Sequence, residues 1–171
     1  LSQRQKLLSG SQVLVIDTNI TAESIAYLAE NCPVPIFAEP VSTAKAVKLK
    51  PVLGKLHTLK PNRLEAELLS GVTITDEKSL NEAADALLAT GLRRVFISLG
   101  GDGMFADDHL GGRVRVPCYP GEMVNTTGCG DAAMAAVAWA YLEGTDLEGT
   151  ARAALAAGAI AFGAGCLARS R

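Results

Sequence analysis

Residues 13–38 read VLVIDTNITAESIAYLAENCPVPIFA, and this stretch decides the fold. Val13 to Asp17 is an apolar, largely β-branched run followed by turn-forming residues, so it reads as a strand. Thr21 can cap a helix that runs to Glu30, with Ile25, Leu28 and Ala29 at helical spacing. Pro33 breaks that helix and Val34 to Ala38 supplies a second strand. Strand, helix and strand in immediate succession make a crossover unit of a parallel sheet.

The alternation continues downstream. Ser42 can cap a short helical piece that ends before Pro51, Leu56 to Leu59 is a third strand, and Asn62 to Ser70 is a helix closed by Gly71. Thr75 to Ala89 reads as a longer helix ended by Gly91, and Val95 to Leu99 as a fourth strand. Met104–Ala106 and Arg113–Val116 then pair as an antiparallel hairpin on the edge of an otherwise parallel sheet. From Gly128 to Leu142, and again from about Leu147 to Phe162, the pattern is helical. Upstream, Leu1 to Leu8 reads as the end of a helix stopped by Gly10, so the chain is expected to begin in mid-fold. Without internal repeats or low-complexity linkers, residues 1–171 are read as one α/β unit.

Composition narrows the function. The 171 residues are 49% hydrophobic and 20% charged, which suits one compact domain and excludes disordered or collagenous chains. Sixteen basic against eighteen acidic side chains leave a net charge of −2, so no broad electropositive field is available to hold nucleic acid. The longest apolar stretches, Ala132 to Leu142 and Ala153 to Leu167, fall short of the roughly 20 strongly apolar residues of a membrane span. With no membrane partner and no secretion signal in view, a cytoplasmic location is expected. Cys32, Cys118, Cys129 and Cys166 are widely spaced and His57 and His109 stand alone, a pattern that offers neither a disulfide framework nor a structural metal site.

Three loops carry candidate chemistry. Asn125-Thr-Thr-Gly-Cys-Gly-Asp131 opens an alanine-rich helix, where glycines allow a tight turn and unpaired N–H groups converge on one point favoured for negative charge. Asp131, in the first turn, is placed to take a proton from a hydroxyl attacking a bound phosphate; it could equally serve only to favour the helix N-terminus. Lys60-Pro-Asn-Arg-Leu-Glu65 follows a strand, where ligands of open α/β sheets collect. Asn62 and Glu65 could order a hydrated Mg²⁺, and the same spacing is also a helix cap close to a capping box. Ser98-Leu-Gly-Gly-Asp-Gly103 could hold nucleotide phosphates or simply turn the chain. No P-loop is present, and the context of the third loop does not suit a dinucleotide fingerprint.

Together these loops resemble the ribokinase-like (PfkB) carbohydrate kinase family, whose signatures are [DN]TxGxGD, NxxE and a Ser/Thr-x-Gly-x-x-Gly loop. All three occur here in the family's order, and the resemblance covers essentially the whole chain. It implies a three-layer α/β/α fold and ATP-dependent phosphorylation of a sugar or nucleoside hydroxyl. Residues 56–71 with 98–103 point to the branch acting on the 5′-hydroxyl of a C-nucleoside; kinases of ribose, adenosine or fructose type, or a non-catalytic nucleotide-binding fragment, are the alternatives. Asp131 would be the base, the amides of Gly128, Cys129 and Gly130 the anion hole, and Asn62 with Glu65 the organisers of Mg²⁺ and phosphate. Asn62, Ser98, Gly100 and Gly103 would contact the nucleotide, and Leu155 would give an apolar wall where some members place a polar residue beside adenine.

Several positions depart from the family pattern. Asn125 replaces an aspartate associated with a monovalent-cation site, which weighs against K⁺ as a cofactor, and Glu39 stands where Asp is more usual. Cys129 stands where most members have alanine; its thiol is either made reactive by the helix N-terminus or merely a small tolerated side chain. The family's N-terminal half, with its acceptor-binding loops and a lid that often forms a homodimer contact, has no counterpart. This chain is therefore expected to be the C-terminal part of a longer one, or to need a partner to cover its open sheet.

Overall fold

The computed structural model describes residues 5–118 and 128–167, with side chains from residue 6 to residue 161. Its centre is a six-stranded sheet in which spatial order follows chain order: β1 (Leu14–Asp17), β2 (Ile36–Glu39), β3 (Thr58–Leu59), β4 (Arg94–Ser98), β5 (Met104–Asp108) and β6 (Arg113–Val116). Strands β1 to β4 pair in parallel, and β5 pairs antiparallel with both β4 and β6, as the hairpin reading expects. The helices are α1 (Gln5–Ser9), α2 (Ala22–Asn31), α3 (Thr43–Ala46), α4 (Arg63–Ser70), α5 (Glu77–Leu88), α6 (Cys129–Leu142) and α7 (Leu147–Leu167).

Side chains alternate across each strand and build two cores. Ile36 and Ala38 of β2, Val95 and Ile97 of β4 and Phe105 of β5 join α2, α4 and α5 in the first. Phe37, Phe96, Met104 and Ala106 face the other way, onto α6 and α7. The result is the expected α/β/α sandwich. Each fully buried large side chain contributes roughly 1.5–3 kcal/mol, whereas an exposed pair such as Lys78–Glu82 adds at most about 0.5 kcal/mol. The two cores therefore hold the fold.

Helix ends follow local chemistry. Thr21 caps α2 by accepting from the Ser24 N–H at 3.2 Å, and Gly71 closes α4 in the left-handed conformation at φ +76°. Helix α5 begins at Glu77 rather than Thr75, because Asp76 and Ser79 form a reciprocal cap. Pro51 does not break the chain as expected: a 3₁₀ run from Val47 to Lys55 passes through it, since the fixed φ of proline suits that helix and only one donor is lost. Ser42 precedes α3 without a side-chain cap bond. Helix α7 continues to Leu167, five residues past the expected end, with no proline to stop it.

At the opposite edge from the strand carboxyl ends, Phe37 stacks on His57 (centroids 5.3 Å apart, planes 4° apart) and Tyr141 meets both rings edge-on. Burial, reinforced by Arg94, Arg93 and His109, lowers the His57 pKa to about 4. The folded chain keeps this ring neutral where the unfolded chain takes up a proton near the ordinary value of 6.5. Its contribution to stability is full above pH 6.5 and falls away as pH drops towards 4. Thermal melts across that window should show a declining midpoint, and His57→Phe should flatten the decline; an identical acid slope in the variant would refute the assignment.

Candidate active site at the carboxyl ends of the parallel strands

Parallel strands end together, so residues at their carboxyl ends are presented on one edge of the sheet. Register places Asp17 opposite Glu39, and pairs Ala38 with Leu59 so that Lys60 follows beside Glu39. Alternation from Phe37 sends Glu39 to the α6 face, and alternation from Leu59 sends Lys60 the same way. The Lys60 Nζ donates to Glu39 Oε1 at 2.7 Å, with the lysine 4% exposed. Asp17 accepts from the Asn19 backbone N–H (2.8 Å) and side-chain amide (2.7 Å).

Helix α6 starts over this row. Gly128 caps it at φ +85°, and the Ala132 N–H donates to the Gly128 carbonyl at 3.0 Å. The first turn of α6 lies ahead of the repeating hydrogen-bond ladder of the helix, and the helix dipole is positive there. Asp131 is exposed and opens onto a cleft of about 600 Å³ shared with Asp17, Glu39 and Met134. Three carboxylates from separate segments thus converge on one cavity beside the positive end of a helix. Asn125, Thr126 and Thr127 lie outside the described residues.

The other candidates fall on neighbouring strand ends. Asn62 and Glu65 form a complete capping box: the Glu65 N–H donates to Asn62 Oδ1 and the Asn62 N–H to Glu65 Oε2, both at 2.9 Å. Glu65 is 3% exposed, and burial raises its carboxyl pKa against the opposing pull of the Asn62 N–H and Lys60. Ser98 bridges to Asn62, bringing the second and third loops side by side. In the third loop Leu99 N–H donates to the Gly103 carbonyl, Asp102 N–H to Leu99 and Gly103 N–H to Gly100, so these three donors serve the turn itself. Gly103, at φ +88°, has no room for a side chain: a Cβ would lie 2.0 Å from the Val116 carbonyl oxygen. Leu155, on α7, packs against the second core.

From the sequence, Asp17 is only the end of a strand, Lys60 only the first residue of the second loop, and Glu39 only a departure from the family pattern. Their common signal is position, each closing or following one of three adjacent parallel strands on one face. A smaller hollow of about 230 Å³ lies on the α4–α5 side between Arg63 and Arg115, which are paired with Asp102 and Glu77. Among the described residues no cluster of three or more His, Cys, Asp or Glu side chains is disposed to hold a metal, and no helix is long and apolar enough to cross a membrane.

The fold agrees with that of known proteins. The profile of the pfkB family carbohydrate kinases matches residues 4–166, and the chain belongs to that family. It is 38% identical over 145 residues to pseudouridine kinase of Escherichia coli, a match covering 84% of this chain and 46% of that protein. Among solved structures, a putative sugar kinase from Clostridium perfringens superposes with a TM-score of 0.89 at 30% identity, covering 94% of this chain and 51% of the other. Ribokinase from Thermotoga maritima gives 0.76 at 26% identity, covering 92% and 51%. The fold is thus ribokinase-like, and the chain spans about half the length of the relatives it matches.

The close seat of α6 on Glu39 is testable. A Cβ at Gly130 would stand 2.5 Å from Glu39 Oε1. Gly130→Ala gains helix propensity but must push the Glu39 carboxylate off Lys60, so it should be net destabilising in denaturant unfolding by about 1 kcal/mol or less. Glu39→Asp, one methylene shorter, should recover part of that loss in the double variant; strictly additive costs would contradict the contact.

Proposed function

We propose that the protein carrying this chain transfers a phosphoryl group from ATP to a hydroxyl of a sugar or nucleoside, and that its acceptor is the 5′-hydroxyl of pseudouridine. Residues 1–171 supply the nucleotide-binding and catalytic part of a single ribokinase-like domain. The observation that carries this reading is the place of Asp131, in the first turn of α6, on the cleft that it shares with Asp17 and Glu39. Family membership supports the reaction class, and the 38% identity to pseudouridine kinase supports the acceptor.

In this reading Asp131 accepts the proton of the acceptor hydroxyl as that oxygen attacks the γ-phosphate. The N–H groups of Gly128, Cys129 and Gly130, at the positive end of α6, meet the negative charge on the transferred group. Ser98, Gly100 and Gly103 hold the nucleotide from the adjoining loop, with Asn62 beside Ser98 and Leu155 as an apolar wall. The donor set also fits Mg²⁺. Burial disfavours the charge of Glu65, and a hydrated dication nearby would relieve that penalty. Asn62 and Glu65 would hold the ion through its waters, and it would supply charge neutralisation to the phosphates. Catalysis then rests on positioning and electrostatics, as phosphoryl transfer requires.

Two measurements on the full-length protein test this. Offered ATP with pseudouridine, uridine, adenosine, ribose and fructose in parallel, it should phosphorylate pseudouridine fastest; ATP binding without any phosphorylated product would instead favour a non-catalytic nucleotide-binding role. Asp131→Asn should lower kcat by at least about 10²-fold, the effect of losing a general base. Near-normal turnover in that variant would remove Asp131 from the chemistry.

A further inference from the structure

We infer that Lys60 is a positioning residue: its buried ammonium pins the Glu39 carboxylate beneath the first turn of α6 and thereby fixes where Gly130 and Asp131 stand. The kinetic consequence rests on the phosphoryl-transfer reading; the mechanical one does not.

Lysine is among the residues least often buried, yet Lys60 is 4% exposed and its partner's side chain only 15%. Taking two charges from water costs several kcal/mol per ion before their attraction is counted, so a pair of this kind is a poor device for stability alone. Its place in the fold suggests another use. The Lys60 N–H donates to the Ala38 carbonyl at 3.1 Å and the Ser98 N–H to the Pro61 carbonyl at 2.9 Å, so the lysine leaves a backbone held from both neighbouring strands. Its side chain meets Glu39 on the face towards α6. The nearest atoms to a Cβ at Gly130 would be Glu39 Oε1 and Cδ, at 2.5 and 3.6 Å, and then Lys60 Nζ at 3.7 Å. The ion pair is therefore the floor on which the second residue of α6 rests, one residue before Asp131.

Charge explains why the floor needs a cation. Asp17, Glu39 and Asp131 share the cleft, so a Glu39 side chain released from Lys60 is repelled by its acidic neighbours and gains by turning to water. The floor would then drop away and the helix start would lose its seat. A displacement of about 1 Å at a reacting group can cost on the order of 10²-fold in rate.

The test uses the full-length protein with Lys60→Met, which keeps the stem and removes the charge, and with Lys60→Leu, which also removes the charge and serves if the first variant does not fold. Thermal melting establishes folding. Alkylation by iodoacetamide, resolved peptide by peptide, reports the start of α6 through Cys129, with Cys32 after α2 as the internal reference. The inference expects Cys129 to be alkylated several-fold faster at an unchanged Cys32 rate. It also expects kcat to fall by about 10- to 10²-fold with the acceptor KM little altered. A folded variant with wild-type alkylation at Cys129 overturns the inference. If the wild-type protein shows no turnover with ATP, the kinase reading fails by itself; a raised Cys129 rate then still upholds the positioning role, and an unchanged rate still overturns it.

Discussion

A helix can begin directly above the ends of parallel strands only if its first turn offers backbone rather than side chain to the sheet. Position 130 meets that condition: a Cβ there would stand 2.5 Å from the Glu39 carboxylate. Close approach brings Asp131, in the first turn, to the same cavity as the strand-end carboxylates of Asp17 and Glu39, so the glycine governs an electrostatic arrangement as well as a packing one. The two cores fix the sheet and the helices on either side of it. The absence of one side chain fixes the distance between them at the site.

The charges at this edge need one another. Three carboxylates on a single cleft would oppose an anionic ligand, and Lys60 offsets one of them where solvent cannot. Glu65 solves a similar problem locally, sharing its charge with the Asn62 amide at the start of α4. The capping box and the proposed ion-organising role are therefore compatible uses of the same two residues: the cap holds both at the strand end, next to Ser98, in a fixed relation.

Much of this was legible in the amino-acid order. The β-branched runs and their breakers gave four parallel strands and the edge hairpin, because period-two burial and period-3.6 burial leave different marks. Gly71, Thr21 and Asn62 end or begin helices as their chemistry dictates. Pro51 misled because 3₁₀ geometry tolerates what an α-helix does not. The row formed by Asp17, Glu39 and Lys60 was invisible for a different reason. A charged residue closing a strand looks like any solvated strand end, and only register across β1, β2 and β3 shows that the three stand together. In the third loop three amides close the turn they belong to, the turning role that its glycines allowed beside phosphate binding.

The colinear sheet has a consequence for how the protein is made. Because strands β1 to β6 lie side by side in the order in which they are synthesised, the sheet can grow by local additions, each new strand finding its neighbour already in place. Helix α6 is the exception. It follows the whole sheet in the chain yet returns to the ends of β1 and β2, a contact between distant parts of the polypeptide that incurs the full entropy of closing a long loop. Maturation of the cavity should thus trail formation of these six strands, so a nascent chain holds this part of the platform before the cleft at its edge is complete.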